Sequence, residues 1–98
     1  MADYAVSAVR YDPDRCLVYK VRVHRVRPGG VDAPMEVVRA QLVSALEYGT
    51  TFMVIRLSQD GSYRANAPLR VVRVEGQAYL RCDDKDLPAD QLPDVFEF

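Results

Sequence analysis

Leu17-Val18-Tyr19-Lys20-Val21-Arg22-Val23-His24-Arg25-Val26-Arg27 is the stretch whose reading decides the fold class. Leu17, Tyr19, Val21 and Val23 fall on one face, and Lys20, Arg22 and His24 on the other. A period of two marks a half-buried strand with one wet side. Upstream, Tyr4 to Tyr11 is short and β-prone, and Asp12-Pro13-Asp14 closes it with turn residues. Together the two segments read as an antiparallel hairpin, which Pro28-Gly29-Gly30 ends.

Downstream the period changes. Met35, Val38, Leu42, Ala45 and Leu46 recur at helical spacing as one apolar stripe. Asp32 or Ala33 is the expected N-cap, Pro34 suits the first turn, and Glu36 favours the positive end of the helix dipole. Gly49 sits where a left-handed C-terminal cap belongs, so the helix is expected over about residues 34–48. Thr51 to Leu57 is apolar on both faces apart from Arg56 and reads as an interior strand. Ser58 to Pro68 is open between a long loop and a tight turn at Asp60-Gly61 with Tyr63 leading an edge strand. Leu69 to Val74 and Gln77 to Cys82 flank Glu75-Gly76, a hairpin turn that sets Val71 opposite Leu80 and Val72 opposite Tyr79.

The fold class expected is α+β: an antiparallel sheet of about five strands, in the order β-β-α-β-β-β, with the single helix on one face. The 98 residues suit one domain, 1–98. One helix cannot cover both faces of such a sheet. The other face must be hidden by curling, by the C-terminal segment or by a second copy.

Residues 83–98 form an acidic, Pro-containing tail whose Val95-Phe96-Glu97-Phe98 end is expected to dock on the body. Six acids against Lys85 give the tail a charge of −5, while residues 1–82 carry +4. Such a tail either is simply solvated or screens a basic face from other polyanions. The start Met1-Ala2-Asp3-Tyr4 has no secretory pattern, and no apolar run approaches the ~18 residues of a membrane span. A cytoplasmic location without membrane contact is expected, with Cys16 and Cys82 as reduced thiols.

The chain resembles the bacterial domain of unknown function 3892 family of small standalone proteins. The likeness lies in Ala8-Val9-Arg10, Glu36-Val37-Val38, Tyr48-Gly49-Thr50-Thr51-Phe52 and above all Val72-Arg73-Val74-Glu75-Gly76-Gln77-Ala78-Tyr79-Leu80-Arg81, followed by an Asp-rich, Leu-Pro-containing tail. Pro28 to Val31 and Ser58 to Pro68 stand outside it. The resemblance implies a shared fold and carries no activity, cofactor or catalytic residue.

No set of residues announces catalysis. There is one histidine, the two cysteines lie 66 residues apart, and Asp83-Asp84-Lys85-Asp86 lacks the glycine and closing glutamate of a calcium loop, so neither metal nor cofactor is expected. No Gly-x-Ser-x-Gly elbow surrounds a serine. His24 between Arg22 and Arg25 reads as a surface histidine on a basic strand. Tyr19, Lys20, Arg22, His24 and Arg25 are the candidate binding surface. The leading expectation is a non-catalytic binding or interaction module, with an unidentified protein or a second copy as partner. Nucleic acid is the alternative: Arg10, Arg27, Arg70, Arg73 and Arg81 could join the basic strand, with Tyr4, Tyr11, Tyr19 and Tyr79 as stacking surfaces. Against it stand a pI of about 5.7 and a single helix. An enzyme ranks third.

Overall fold

A computed structural model describes residues 2–13, 17–58, 60, 62–83, 85, 87–92 and 95–98. Cys16, Gly61, Asp14 of the first turn and three of the six tail acids, Asp84, Asp86 and Asp94, lie outside them. The elements in chain order are β1 (Tyr4–Tyr11), β2 (Val18–Arg27), β3 (Gly30–Val31), β4 (Met35–Val38), α1 (Arg39–Glu47), β5 (Phe52–Leu57), β6 (Tyr63–Val74), β7 (Gln77–Arg81) and β8 (Phe96–Glu97). This is an α+β protein with one helix and a strand-rich mixed sheet.

The sheet is larger than the sequence suggests, and it is not purely antiparallel. Among the described residues, eight strands run in the order β3-β2-β1-β5-β6-β7, with β4 also on β2 and β8 also on β1. β1 lies parallel to both β5 and β8. The reason for the first is the crossover through β4 and α1, which returns the chain to β1 in the same direction. The β6–β7 hairpin has the register read from the sequence, Val71 against Leu80 and Val72 against Tyr79. Its two-residue turn holds Glu75 and Gly76 both at positive φ, 52° and 82°.

Helix α1 starts at Arg39, later than the apolar spacing suggests. Residues Met35–Val38 instead pair antiparallel with β2, Met35 opposite Val23 and Val38 opposite Lys20. Val37 and Val38 are β-branched, and an open edge of β2 offers this segment a full ladder of backbone hydrogen bonds. Met35 and Val38 are therefore exposed. The N-cap is Val38, without a side-chain cap bond, in place of Asp32 or Ala33. Glu36 reaches Lys20 at 2.6 Å rather than a helix terminus. Leu42 is the helix residue fully inside the core, with Val43, Ala45 and Leu46 packed beside it. Gly49 closes the helix as expected: its φ is 98°, its N–H donates to the Leu46 carbonyl, and Thr50 N–H donates to that of Ala45. This pair of bonds is the Schellman arrangement.

The sheet curls at β6. β6 pairs with β5 through Tyr63 to Leu69 and with β7 from Arg70 to Val74, so it carries the chain round a corner. The sheet bends far enough for one carboxylate to span it. Asp90 accepts from Val18 N–H on β2 at 2.7 Å and from Leu80 N–H on β7 at 2.8 Å. Arg39 at the start of α1 donates to the same carboxylate twice, at 3.0 Å each. Val6, Val9, Val21, Val23, Val54 and Leu80 are among the residues filling the interior of the curl.

Candidate functional site

Two bulges in the β1–β2 ladder place the site. Opposite pairs run from Val6–Val23 directly to Ala8–Arg22, leaving Ser7 as an extra residue in β1. That is why Val6 and Val9, three apart, both face the core. A second shift between Arg10–Lys20 and Tyr11–Val18 leaves Tyr19 as the extra residue in β2. Simple alternation put Tyr19 on the apolar face. The bulge turns Val18 inward with Val21 and Val23, and Tyr19 outward, 57% exposed.

Ser7 also marks a fork. On the flank of β1 away from β2, Tyr4 to Val6 pair with β5, and Ala8 and Val9 pair with β8. Where β5 leaves and β8 begins, a cleft of about 620 Å³ opens. Ser7, Arg22, His24 and Arg56 line it on one side, and Pro34, Val95 and Phe96 give it an apolar wall; Glu97 stands at the same mouth.

His24 is the best-defined group in the cleft. Contrary to the surface reading, it is only 4% exposed. Its Nε2 lies 2.6 Å from Ser7 Oγ, and its Nδ1 lies 2.8 Å from the Asp32 carbonyl oxygen. A carbonyl can only accept, so in the neutral ring Nδ1 carries the hydrogen and Nε2 accepts from the Ser7 hydroxyl. The Pro28–Gly29 turn, with Gly29 at φ 85°, folds β3 back on β2 and brings Asp32 over the ring. Arg27 fixes the Asp32 carboxylate at 2.6 and 2.7 Å, and Asp32 N–H donates to the Arg25 carbonyl.

Of the candidate surface, the structure brings Arg22 and His24 together. Lys20 lies nearby, tied to Glu36, whose pKa is lowered first by that hydrogen bond. Tyr19 is removed by its bulge, and exposed Arg25 lies opposite Tyr4, away from the cleft. Ser7 and Arg56 were missed. Arg56 had stood out in its apolar strand, whereas nothing marked Ser7, because a bulge has no signature in a run of small and β-branched residues.

The end of the acidic tail, and not Asp83, meets the basic strand. The Phe98 ring lies over it, with the guanidinium carbons of Arg22 and Arg10 at 4.3 and 4.8 Å from its centre. Arg10 Nε also donates to the Phe98 carbonyl at 2.8 Å, and Phe98 N–H donates to that of Val9 at 2.9 Å. Asp83 goes to Arg81 instead, at 2.6 and 2.7 Å, and this hydrogen bonding brings its pKa down to about 2. Arg70 donates to the Asp83 and Lys85 carbonyls, and Arg73 to Glu47. Burial, with the Asp83 charge behind it, pushes the Cys82 thiol up to about 12. Among the described residues, no three His, Cys, Asp or Glu side chains gather to hold a metal ion, and no helix is long and apolar enough to cross a membrane.

No protein-family model, curated protein or solved structure matches the chain.

Proposed function

We propose that the protein is a binding module whose fork cleft takes a small ligand with an anionic group and an apolar body. The observation that carries this is the half-buried Ser7–His24 pair in one open cleft that Arg22 and Arg56 also line. Arginine presents several donors to a carboxylate or phosphate. Val95, Phe96 and Pro34 supply the wall against which an apolar body packs. A volume of about 620 Å³ lies in the range of small-molecule sites, about 300–1,000 Å³.

A small ligand is favoured over a polyanion. Arg70, Arg73 and Arg81 each bond a carboxylate or carbonyl of the chain itself, and Tyr4 stacks on Phe52 with ring centres 5.3 Å apart. These arginines and Tyr4 sit on β6, β7 and the start of β1 and are not part of the cleft lining, so they do not join it in one continuous track for a nucleic-acid backbone. The resemblance to the domain of unknown function 3892 family is a proposal about shared fold and adds no ligand. Calorimetric titration with phenyl phosphate and with phenol tests the reading. Phenyl phosphate is expected to bind with Kd on the order of 1 mM or tighter, equivalent to about 4 kcal/mol. Phenol, without the anionic group, is expected not to bind, and Arg22→Gln is expected to remove the phenyl phosphate signal. Equal binding of phenol, or an unchanged isotherm in the variant, contradicts it.

A further inference from the structure

We infer that Ser7 is an activated nucleophile, able to accept acyl and sulfonyl groups from small activated esters and sulfonyl fluorides that enter the fork cleft. This goes beyond ligand binding and does not need the anionic group.

Three parts of a nucleophilic site are in place. A hydroxyl lies within hydrogen-bond reach of a base, Ser7 Oγ to His24 Nε2 at 2.6 Å. The base is oriented by a third group, since the Asp32 carbonyl 2.8 Å from Nδ1 fixes the tautomer that leaves Nε2 free of hydrogen. The hydroxyl also faces a cleft, because the β1 bulge turns Ser7 into the lining while the base behind it stays 4% exposed. A bulged strand commonly re-aims one side chain beside a site. Arg22 lines the same cleft and brings positive charge to where the oxygen becomes anionic in the attack, with Arg56 and Glu97 also in the lining.

With an ester, a bond forms between Ser7 Oγ and the acyl carbon while the Ser7 proton passes to His24 Nε2. The alkoxide or phenoxide then leaves with that proton, giving the acylated serine and an alcohol or phenol. Water attacks the acyl group through the same base, restoring Ser7 and releasing a carboxylic acid. With a sulfonyl fluoride, the oxygen–sulfur bond forms as the sulfur–fluorine bond breaks, and the proton and fluoride depart. The orienting group is a neutral carbonyl rather than a carboxylate, and the imidazolium shares its cleft with two arginines. Reaction is therefore confined to good leaving groups.

The probe is phenylmethylsulfonyl fluoride on the full chain, read by intact mass and peptide mapping. The expected result is a single adduct on Ser7, absent in Ser7→Ala. In His24→Gln the adduct is expected to form about 10²-fold more slowly, the usual contribution of a general base. Thermal melting of each variant separates loss of fold from loss of chemistry, and mapping on the unaltered protein stands whether or not the variants fold. No adduct after hours at millimolar probe overturns the inference. So does labelling spread over tyrosines and other serines at equal rates. Because the probe is uncharged, its failure leaves the phenyl phosphate titration untouched, and failure of that titration leaves this one untouched.

Discussion

Replacing Asp90 with alanine removes one side chain and opens four hydrogen bonds at once. The carboxylate is fully enclosed and accepts from Val18 N–H, Leu80 N–H and both donating nitrogens of Arg39. Alanine leaves two enclosed amides without an acceptor, about 1–3 kcal/mol each. It also leaves the Arg39 guanidinium without its ion partner, although that group is partly exposed and recovers some hydration. Breaking one side of a buried pair costs about 3–5 kcal/mol, and about 4 kcal/mol is the value expected here. That is a large share of the roughly 5–15 kcal/mol by which a domain of this size holds together. At about 4–8 °C per kcal/mol, the melting temperature should fall by roughly 20 °C or more. Urea denaturation of Asp90→Ala, Arg39→Ala and the double variant is the assay. The single losses should be strongly non-additive, because both variants remove the same pair. A loss below about 1 kcal/mol in Asp90→Ala, or simple addition in the double variant, would refute the view that this carboxylate ties the two ends of the curled sheet together.

Four further outcomes follow from the same structure. Gly49→Ala should cost about 1–2 kcal/mol in a urea melt, since φ is 98° and no atom lies near enough for a clash; a neutral change would contradict the left-handed cap. The Cys82 thiol, raised to about 12, should react with iodoacetamide at pH 8 about a thousand-fold more slowly than an ordinary cysteine, and a comparable rate on its peptide would contradict its burial. Asp83 should titrate near pH 2 by carboxyl-carbon NMR. Its folded value lies below its ordinary one, so its bond to Arg81 is fully present above about pH 4 and is lost as pH falls toward 2; a midpoint near 4 would count against that bond. Nitrogen NMR of the His24 ring should show the hydrogen on Nδ1, whereas an Nε2–H ring would reverse the direction of the Ser7 bond.

Local rules were readable where one interaction dominates. Glu75-Gly76 fixed the β6–β7 register, because a two-residue turn with both residues at positive φ admits one pairing. Gly49 marked the helix end for a similar reason. The alternation of β2 placed Arg22 and His24 on one strand face, and the ladder from Lys20 to His24 keeps that order. Errors arose where two local preferences competed and a distant strand decided. Met35–Val38 fits a helical stripe and a strand equally well, and the free edge of β2 chose the strand. His24 between two arginines reads as solvated until the β3 turn sets Asp32 over one ring nitrogen and the bulge sets Ser7 over the other. Asp90 looked like one acid in an acidic tail. Its role depends on Val18 and Leu80 meeting across a curl, and no local pattern encodes that meeting.

The most direct test of the fork cleft as the binding site is a chemical-shift titration of the ¹⁵N-labelled protein with phenyl phosphate. Saturable shifts confined to Ser7, Ala8, Arg22, His24, Arg56 and the Val95–Glu97 segment are the expected result. Shifts that instead follow Arg70, Arg73 and Arg81 on β6 and β7, or the absence of any saturable shift, would contradict it.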